Sequence, residues 1–294
     1  MLALHIKRWF AAAALALIAL LTVASAAGAE PQTLRLMTYN IRLDLASDGV
    51  NAWPHRREWV AEQIQWLRPD IFGLQEVLPH QKAELIAALP RYRMFGGGRD
   101  GKDSGESSPV GFDTGRFDFR EGGMFWLSPT PDVPSRAWDA ANRRIATWVR
   151  LRFRDSRADV LALNTHWDHI GIIARRQSAA QIIRWIESNA RPCEAVVVLG
   201  DFNSTIDSEQ MRAMTQGKPL LRDARAITKT APFGPAGTFN AFRTAPARPE
   251  AIDHILVGER IDVERYAVIS QVIEGRVPSD HFPVLADLRI ASCR

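Results

Sequence analysis

Apolar residues in this chain fall into short runs, and many of these runs end abruptly in polar side chains. The clearest run covers residues 196–199, where three of four residues are β-branched, and Gly200, Asp201, Phe202 and Asn203 follow it. This composition predicts a buried strand, and Gly200 permits a tight exit from it. In an extended chain Asp201 and Asn203 lie on one face and Phe202 on the other. Because buried polar groups are costly unless they bind something, this strand end is a candidate site, although these are also ordinary turn residues.

The same patterning predicts an α/β protein. Helical periodicity indicates helices over residues 54–67, 79–89 and 174–187, and prolines at both ends delimit the second. Long helices between buried strands, with short β segments among them, are typical of mixed sheets. No segment has the composition of a linker, so residues 30–294 are predicted to form one domain. The remaining apolar runs predict strands at residues 34–39, 71–74, 110–112, 124–127, 146–153, 160–163, 252–257 and 284–290.

Residues 1–29 have the pattern of a signal peptide. Lys7 and Arg8 precede an apolar run over residues 10–23, and small residues follow it up to Ala29. The run is short for a membrane span, which needs about 20 residues, and no second span follows. We therefore expect cleavage before Glu30 and export to the periplasm or beyond, without stable insertion of the mature protein in the membrane. An uncleaved anchor is the alternative.

Composition and charge narrow the function only slightly. The 294 residues are 46% hydrophobic and 24% charged, as in an ordinary globular protein. Removal of the signal peptide takes away Lys7 and Arg8 and no acidic residue, so the formal net charge falls from +4 to +2. This weak charge argues against binding along an extended nucleic-acid duplex, which needs several phosphate contacts.

The two cysteines are placed for a disulfide. Cys193 stands at the start of the strand that runs toward Asp201, and Cys293 at the end of the strand that leads away from His281. If Asp201 and His281 share one rim of a sheet, both sulfurs fall toward the opposite rim. An exported protein would permit the bridge, and two free buried thiols are the alternative.

Polar residues stand at the end of nearly every predicted strand. Each of them alone could have a structural role, but strand ends are where sites form in open α/β folds. Carboxylates and an amide without cysteine suit a hard cation such as Mg²⁺ or Mn²⁺. A zinc site at His166, Asp168 and His169 is a weaker alternative. The strand-end residues are Asn40, Glu76, His166, Asp168, Asp201, Asn203, Asp253, Asp280 and His281.

The candidate nucleophile is water. Asp280-His281 offers a base whose imidazole a carboxylate could hold in the required tautomer. The chain contains no Gly-x-Ser-x-Gly motif, and neither cysteine lies near the polar cluster. These observations favour metal-assisted hydrolysis over a covalent mechanism.

Six short segments occur in an order that resembles the endonuclease/exonuclease/phosphatase superfamily, which has the deoxyribonuclease-I-like fold. The resemblance implies a four-layer α/β/β/α sandwich of two mixed sheets, with the site at one rim. Residues 125–128 and 164–176 further resemble an exported bacterial branch of the superfamily. The six segments are Met37-Thr38-Tyr39-Asn40, Leu74-Gln75-Glu76-Val77, Asn164-Thr165-His166, Gly200-Asp201-Phe202-Asn203, Ile252-Asp253-His254 and Ser279-Asp280-His281-Phe282-Pro283-Val284.

The resemblance also implies a role for each site residue. Glu76 would be the principal ligand of Mg²⁺ or Mn²⁺, with Asn40 beside it and Asp280 sharing the ion or its water. His281 would activate the attacking water or, alternatively, contact the phosphate.

The remaining catalytic roles follow from the same resemblance. Asp201 and Asn203 would orient the nucleophile and the scissile phosphate, and His166 would donate to the developing negative charge. Asp253 would orient or polarise His166, or assist the leaving group.

The candidate phosphate-binding residues are Asn203, His166 and four arginines, although an ordinary solvated face explains such arginines equally well. The candidate arginines are Arg42, Arg143, Arg144 and Arg175.

Two departures from the family pattern matter. Phe112 stands where several relatives have a tyrosine, which puts a tyrosine contact to phosphate in doubt. Arg42 stands where apurinic-site nucleases have an acid, which argues against DNA repair.

The sequence therefore predicts an exported, monomeric, metal-dependent phosphoester hydrolase. It favours a phosphodiesterase or nuclease slightly over a phosphatase that acts on a small phosphorylated molecule or lipid headgroup. A binding protein that has lost the chemistry is a third hypothesis. The substrate would be nucleic acid or a small phosphorylated molecule, and Trp53, Trp138 and Trp167 could stack on it or pack in the core. Residues 96–108, rich in Gly, Asp and Ser, are predicted to form a mobile surface loop over the site.

Overall fold

The computed structural model describes residues 32–156, 158–217 and 221–293, so the predicted signal peptide lies outside the described residues. Two six-stranded mixed sheets pack face to face, and helices cover their outer faces. This arrangement confirms the predicted four-layer sandwich.

The first sheet contains one parallel pair of strands among antiparallel neighbours. Its strands in spatial order are β11 (Ile261–Val268), β12 (Val284–Ile290), β1 (Gln32–Asn40), β2 (Ile71–Gln75), β4 (Val110–Asp113) and β3 (Tyr92–Phe95). The parallel pair is β1 and β2, so these two strands end at the same rim of the sheet.

The second sheet repeats this plan with one parallel pair, β7 and β8. Its strands in spatial order are β5 (Phe117–Trp126), β6 (Ile145–Phe153), β7 (Asp159–His166), β8 (Ala195–Asp201), β10 (Asp253–Val257) and β9 (Arg222–Asp223). Because β10 is antiparallel to β8, it begins at the rim where β7 and β8 end.

Helices close the sandwich on both sides. Two short 3-10 segments, Ala46–Asn51 and Trp53–His55, precede the first helix. In the part of the chain that the structure describes, no helix is both long and apolar enough to cross a membrane. The helices are α1 (Arg57–Leu67) and α2 (Pro79–Ala88) on the first sheet, α3 (Ile172–Asn189) and α4 (Glu209–Gln216) on the second, and α5 (Ala224–Ile227) against β10 and β11.

Strand alternation divides the core into three parts. In β1, Leu34 and Leu36 face the space between the sheets, whereas Met37 and Tyr39 face α1 and α2. Central strands are therefore buried on both faces, which explains why they appear in the sequence as unbroken apolar runs.

The strands that the sequence analysis missed, β3, β9 and β11, all lie at sheet edges. Only the last part of β5, also an edge strand, was predicted. Edge strands carry exposed polar residues among the buried ones, as in β11, so they lack a continuous apolar run. The short helices α4 and α5 were missed as well.

The predicted helix over residues 54–67 is interrupted at Arg56, which has φ −138°. The Arg56 side chain is fully buried and donates to the carbonyl oxygens of Ile41, Arg42 and Pro278. It thereby ties the segment that follows β1 to the segment that precedes β12.

A polar contact connects the two sheets close to the rim. Asn164 Nδ2 in β7 donates to the carbonyl oxygens of Leu74 and Pro109, at 2.7 and 2.9 Å, and Asn164 Oδ1 accepts from Gln75 Nε2 at 2.7 Å. The close approach requires Gly73, because a Cβ there would lie 2.5 Å from the Asn164 side chain.

Cys193 and Cys293 form a disulfide, with their Cα atoms 5.5 Å apart, as predicted. Cys193 precedes β8 and Cys293 follows β12, whereas Asp201 ends β8 and His281 precedes β12. The bridge therefore lies at the rim opposite to the candidate site.

Candidate active site

The polar strand ends meet at one rim because of the strand directions. The parallel pairs deliver Asn40 and Glu76 from the first sheet and His166 and Asp201 from the second. Asp253, at the start of β10, pairs directly with Asp201 in the sheet register. The packing of the two sheets thus converts separate sequence motifs into a single cluster.

A cleft of about 490 Å³ opens at this rim. Asn40 and Asp253, which do not line it, hydrogen-bond to residues that do. All ten predicted catalytic, substrate-binding and metal-binding residues are therefore brought together. The eight that line the cleft are Arg42, Glu76, Arg144, His166, Asp201, Asn203, Asp280 and His281.

Glu76 is held in place from both sides. Its backbone has φ +62°, an uncommon conformation for a residue other than glycine. Its Oε1 accepts from Asn40 Nδ2 at 3.0 Å, and its Oε2 accepts from the Leu43 amide at 3.1 Å. The carboxylate is therefore fixed at the rim, with lone pairs left for a cation.

Asn40 joins the two sheets at this point. Its Nδ2 also donates to Asp201 Oδ2 at 3.1 Å, while its Oδ1 accepts from the Arg42 amide at 3.0 Å. For the oxygen to reach an ion, the amide would have to turn over. Its role as a metal ligand stays a prediction.

Negative charge is concentrated in this cleft. Burial raises the pKa of Asp280, and the nearby charge of Glu76 raises it further, although His281 and Arg42 oppose the shift. Burial and the charge of Asp253 likewise raise the pKa of Asp201. A hard divalent cation would compensate this charge, so the donor set fits the predicted Mg²⁺ or Mn²⁺.

His281 is oriented by Asp253. Its Nδ1 lies 2.8 Å from Asp253 Oδ2, which also accepts from Thr238 Oγ1 at 2.5 Å. Burial lowers the pKa of His281, but the charge and hydrogen bond of Asp253, with Asp201, outweigh burial and raise it overall. Nε2 lies 3.8 Å from Asp201 Oδ2.

The expected contact between Asp253 and His166 is absent from the described residues, because Asp253 pairs with His281. His166 Nε2 lies 3.6 Å from Asp201 Oδ2. Burial, then the positive charge of Arg144, lowers the pKa of His166, so this imidazole is neutral at pH 7. The two histidines are thus set to different protonation states.

A second group of potential ligands lies in the same cluster. Asp201, Asp253 and His281 offer ligand atoms within 4.8 Å of one another. The hydrogen bond between Asp253 and His281 accounts for part of that proximity, and Asp253 Oδ1 is buried without a partner. This group differs from the predicted ligands Glu76, Asn40 and Asp280, whose metal role is not decided by it.

The weaker zinc alternative fails at Asp168. Its carboxylate accepts hydrogen bonds from the backbone amides of Asn142, Ile170 and Gly171, at 2.8 to 3.1 Å. These bonds fix the turn after β7 and occupy the carboxylate that a zinc ion would need.

Positive charge surrounds the acidic cluster. Arg144 is 6% exposed, and its Nη2 lies 3.1 Å from His169 Nδ1. Arg42 forms a two-point ion pair with Asp48 at 2.9 and 3.1 Å. Arg175 also lines the cleft.

The aromatic candidates and the remaining arginine do not line the cleft. Arg143 does not line the cleft and instead pairs with Asp100 at the surface. Trp53 and Trp167 are buried, so they cannot stack on a substrate. Phe112 is buried as well, and Trp138 lies outside the cleft lining.

Several cleft residues were missed from the sequence. Phe239 lines the cleft with its ring 5.1 Å from that of His281, and the Arg248 guanidinium carbon lies 5.8 Å from the centroid of the Phe239 ring. Both come from residues 228–252, which lack regular structure, so no periodic pattern marked them. Arg99 and Glu106 belong to the predicted loop over the site, which was the one signal available for them.

The structure thus has the four-layer sandwich that the sequence motifs predicted. Carboxylates, an amide and two imidazoles lie together at one rim of it. The chain belongs to the Endonuclease/Exonuclease/phosphatase family, whose sequence model matches residues 37–281. Members of this family are phosphoester hydrolases. The assignment to an exported bacterial branch stays a prediction.

Three solved structures show the extent of the similarity. A family protein from Bacteroides thetaiotaomicron is 36% identical, with a TM-score of 0.85, over 89% of this chain and 99% of its own. The mannosyl-6-phosphatase from the same species is 37% identical, with a TM-score of 0.83, over 87% and 99%. A family protein from Bacteroides vulgatus is 37% identical, with a TM-score of 0.85, over 88% and 100%.

A curated relative matches only a segment of the chain. An uncharacterised protein of Acanthamoeba polyphaga mimivirus is 28% identical over 135 residues. The match covers 39% of this chain and spans only 20% of the length of that protein.

Proposed function

We propose that the protein is a metal-dependent phosphatase that hydrolyses a small phosphorylated molecule, with a sugar phosphate as the first candidate. The observation that carries the proposal is the cleft itself, where an acidic cluster and an oriented histidine stand among arginines. Negative charge suits a cation, and positive charge suits the phosphate that the cation would share.

In this proposal, different residues of the chain bind the phosphate, orient the catalytic histidine and move the proton. Asp253 and Asp201 favour the protonated His281 imidazole, whose Nε2 faces the cleft and donates to the phosphate, and Asp201 takes the proton of the attacking water. Neutral His166 and the Asn203 amide donate to the phosphoryl oxygens. Asn203 Nδ2 is positioned by the Trp167 carbonyl at 3.0 Å.

Cations complete the phosphate site. Arg144 and Arg42 balance the charge of the phosphate, since a guanidinium matches phosphate geometry. Glu76 and Asp280, with Asn40 after a turn of its amide, would hold the Mg²⁺ or Mn²⁺. When bound, that ion supplies positive charge to the transferred phosphoryl group.

A monoester of small size is favoured over a diester or nucleic acid. Residues 96–108 wall the cleft with Arg99 and Glu106, which leaves a volume suited to a small ligand. The 37% identity to a mannosyl-6-phosphatase, which covers 99% of that protein, supports the same choice. This order reverses the slight preference for a diester that the motifs gave.

Export is part of the proposal. The signal-peptide pattern of residues 1–29 supports it, and so does the disulfide between Cys193 and Cys293, because such bonds persist in oxidising compartments. We propose that the mature protein acts there as a monomer.

Hydrolysis assays with the purified mature protein test the function. Mannose 6-phosphate, p-nitrophenyl phosphate and bis-p-nitrophenyl phosphate are compared with Mg²⁺, with Mn²⁺ and with EDTA. The proposal expects metal-dependent cleavage of the monoesters and its loss in His281→Ala. Cleavage of the diester alone would restore the phosphodiesterase hypothesis, and a folded protein without turnover would favour the binding-protein hypothesis.

A further inference from the structure

Residues 96–108 form a hydrogen-bonded wall of the cleft, and the mobility that the sequence predicted for them stays a prediction. The Arg99 amide donates to the Glu106 carbonyl at 2.8 Å, which closes the segment on itself. Ser107 and Val77 exchange two backbone hydrogen bonds, at 2.8 and 3.2 Å. Because Val77 directly follows Glu76, the wall has a set position relative to the acidic cluster.

An ion pair lies on the cleft side of this wall. Arg99 Nη2 is 2.5 Å from a carboxylate oxygen of Glu106, and the two side chains are only 16% and 14% exposed. Both line the cleft together with Arg144 and Asn142. Backbone hydrogen bonds on either side of the pair fix the segment, so both charged groups face the cleft.

The pair leaves hydrogen-bonding capacity unused. Within the described residues, Glu106 Oε1 pairs with Arg99, and Oε2 has no hydrogen-bond partner. Arg99 uses Nη2 for Glu106 and for a long contact to Asn142 Oδ1 at 3.4 Å, so Nε and Nη1 remain available. Arg144 Nη1 is also without a hydrogen bond there.

This set alternates acceptors and donors, which is the pattern that hydroxyl groups require, since each can donate to a carboxylate and accept from a guanidinium. A second phosphate would be repelled by Glu106, and a base would need an apolar stacking face, which this wall does not offer. We propose that Arg99 and Glu106 form a subsite that recognises the hydroxyl groups of a sugar leaving group. The inference rests on the proposed phosphatase function and names the residues that select its substrate.

Stability alone gives little reason to keep such a pair. Removing two charges from water costs free energy that their attraction seldom more than repays, so buried ion pairs often stabilise no better than apolar residues. A pair that faces a ligand site can offset this desolvation cost when a ligand forms hydrogen bonds with its unpaired nitrogen and oxygen atoms. Glu106 and Arg99 would therefore be specificity residues that touch the leaving group and not the reacting phosphate.

Binding to an inactive variant tests the subsite without turnover. Mannose 6-phosphate and phenyl phosphate share the phosphate, but only the first carries hydroxyl groups. Each is titrated calorimetrically with Mg²⁺ into His281→Ala and into His281→Ala with Glu106→Gln. We expect the sugar phosphate to bind at least about tenfold more tightly than phenyl phosphate, and Glu106→Gln to remove that advantage while phenyl phosphate changes by less than about twofold.

Two further variants sharpen the result. Arg99→Lys keeps the charge but loses the planar guanidinium group, so it should also weaken binding of the sugar phosphate and leave that of phenyl phosphate unchanged. Asp100→Asn is the matched control, because Asp100 lies on the same wall but pairs with Arg143 at the surface. It should change neither affinity. Thermal melting confirms that each variant is folded before it is titrated.

Two outcomes would overturn the subsite. If the His281→Ala protein binds both phosphates equally, no hydroxyl recognition exists. If Glu106→Gln weakens both ligands by the same factor, Glu106 serves the shared phosphate and not the sugar. Failure of the proposed function is seen separately, as absence of monoester turnover by the wild-type enzyme, whatever the binding data show.

Discussion

His281 and Asp253 come from separate segments of the chain, yet His281 Nδ1 lies 2.8 Å from Asp253 Oδ2. The neighbour of His281 in sequence, Asp280, does not take this role, although the sequence alone made it the obvious partner. Asp253 takes the position because β10 places it opposite Asp201 at the rim. Thr238 Oγ1 then donates to the same carboxylate oxygen, which fixes the pair.

Asp253→Asn should therefore lower kcat by about 10²–10⁴-fold, because the amide cannot hold the imidazole in the same tautomer or support its positive charge. KM should change much less, since Asp253 does not line the cleft. Steady-state kinetics on a monoester measures both constants. Asp155→Asn, at an exposed position, is the control, and an unchanged kcat in Asp253→Asn would show that another group orients His281.

Glu76→Gln should abolish metal-dependent turnover, with a loss of at least about a hundredfold, because the charge that holds the cation is removed. Binding of Mn²⁺ can be followed directly by electron paramagnetic resonance, which separates free from bound ion. The variant should bind Mn²⁺ more weakly than the wild type. Glu62→Gln on the exposed side of α1 is the matched control.

Full Mn²⁺ affinity in Glu76→Gln would instead point to the alternative group of Asp201, Asp253 and His281 as the ion site. In that case Asp201→Asn should weaken Mn²⁺ binding more than Glu76→Gln does. The comparison of the two variants distinguishes the two positions in the cleft.

The sequence identified the residues that meet at this rim because they end buried strands. A carboxylate that follows an apolar run, as Asp201 does, is conspicuous in sequence, and strand direction then brings such ends to one rim. The pairing of Asp253 with His281 could not be predicted, since it depends on how β10 of one sheet packs against the segment that precedes β12 of the other. That packing is a tertiary property with no local sequence signal.

The residues that wall the cleft were harder to predict from the sequence than the residues at the strand ends. Phe239 and Arg248 belong to a long segment without regular structure, where apolar spacing carries no information. Glu106 was inside a segment expected to be a loop, but its backbone hydrogen bonds and its pairing with Arg99 are contacts that only folding creates. Edge strands such as β11 were missed because partial exposure breaks their apolar pattern.

Asn164→Ala should destabilise the protein by about 3 kcal/mol, because the Leu74 carbonyl and the Gln75 amide lose a partner between the sheets. Urea unfolding measures the change in the free energy of unfolding. Gly73→Ala should also destabilise, since the added methyl would meet the Asn164 side chain. In the double variant the methyl enters the vacated space, so its cost should be smaller than in the wild type. Strict additivity would contradict this contact.

Asp168→Asn should destabilise the protein at pH 7 by about 2–3 kcal/mol. Burial opposes ionisation, but the amides of Gly171, Ala141 and Asn142, with Arg144, hold the pKa of Asp168 well below its usual range. A carboxyl with a lowered folded-state pKa adds stability above its unfolded pKa, about 3.9, and loses it as the pH falls toward the folded value. The difference between wild type and variant should therefore be constant from pH 7 to 5 and shrink below about pH 4. Urea unfolding at several pH values checks this, and a constant difference down to pH 2.5 would refute it.

Replacing both Cys193 and Cys293 by serine should lower the free energy of unfolding by about 2–5 kcal/mol, because the bridge closes a loop with a sequence separation of 100 residues. The bridge is at the rim opposite to the cleft, so kcat and KM of the folded variant at 25 °C should equal those of the wild type. Arg260 contacts the carbonyl oxygens of Cys193 and Ala291, which keeps the two segments together in the folded state without the bond. Melting with and without dithiothreitol measures the effect, and the serine variant, which has no bond to reduce, is the control. An equal melting temperature for oxidised and reduced wild type would show that the bridge does not stabilise the fold, whereas a fall in kcat at 25 °C would show that the two rims are coupled.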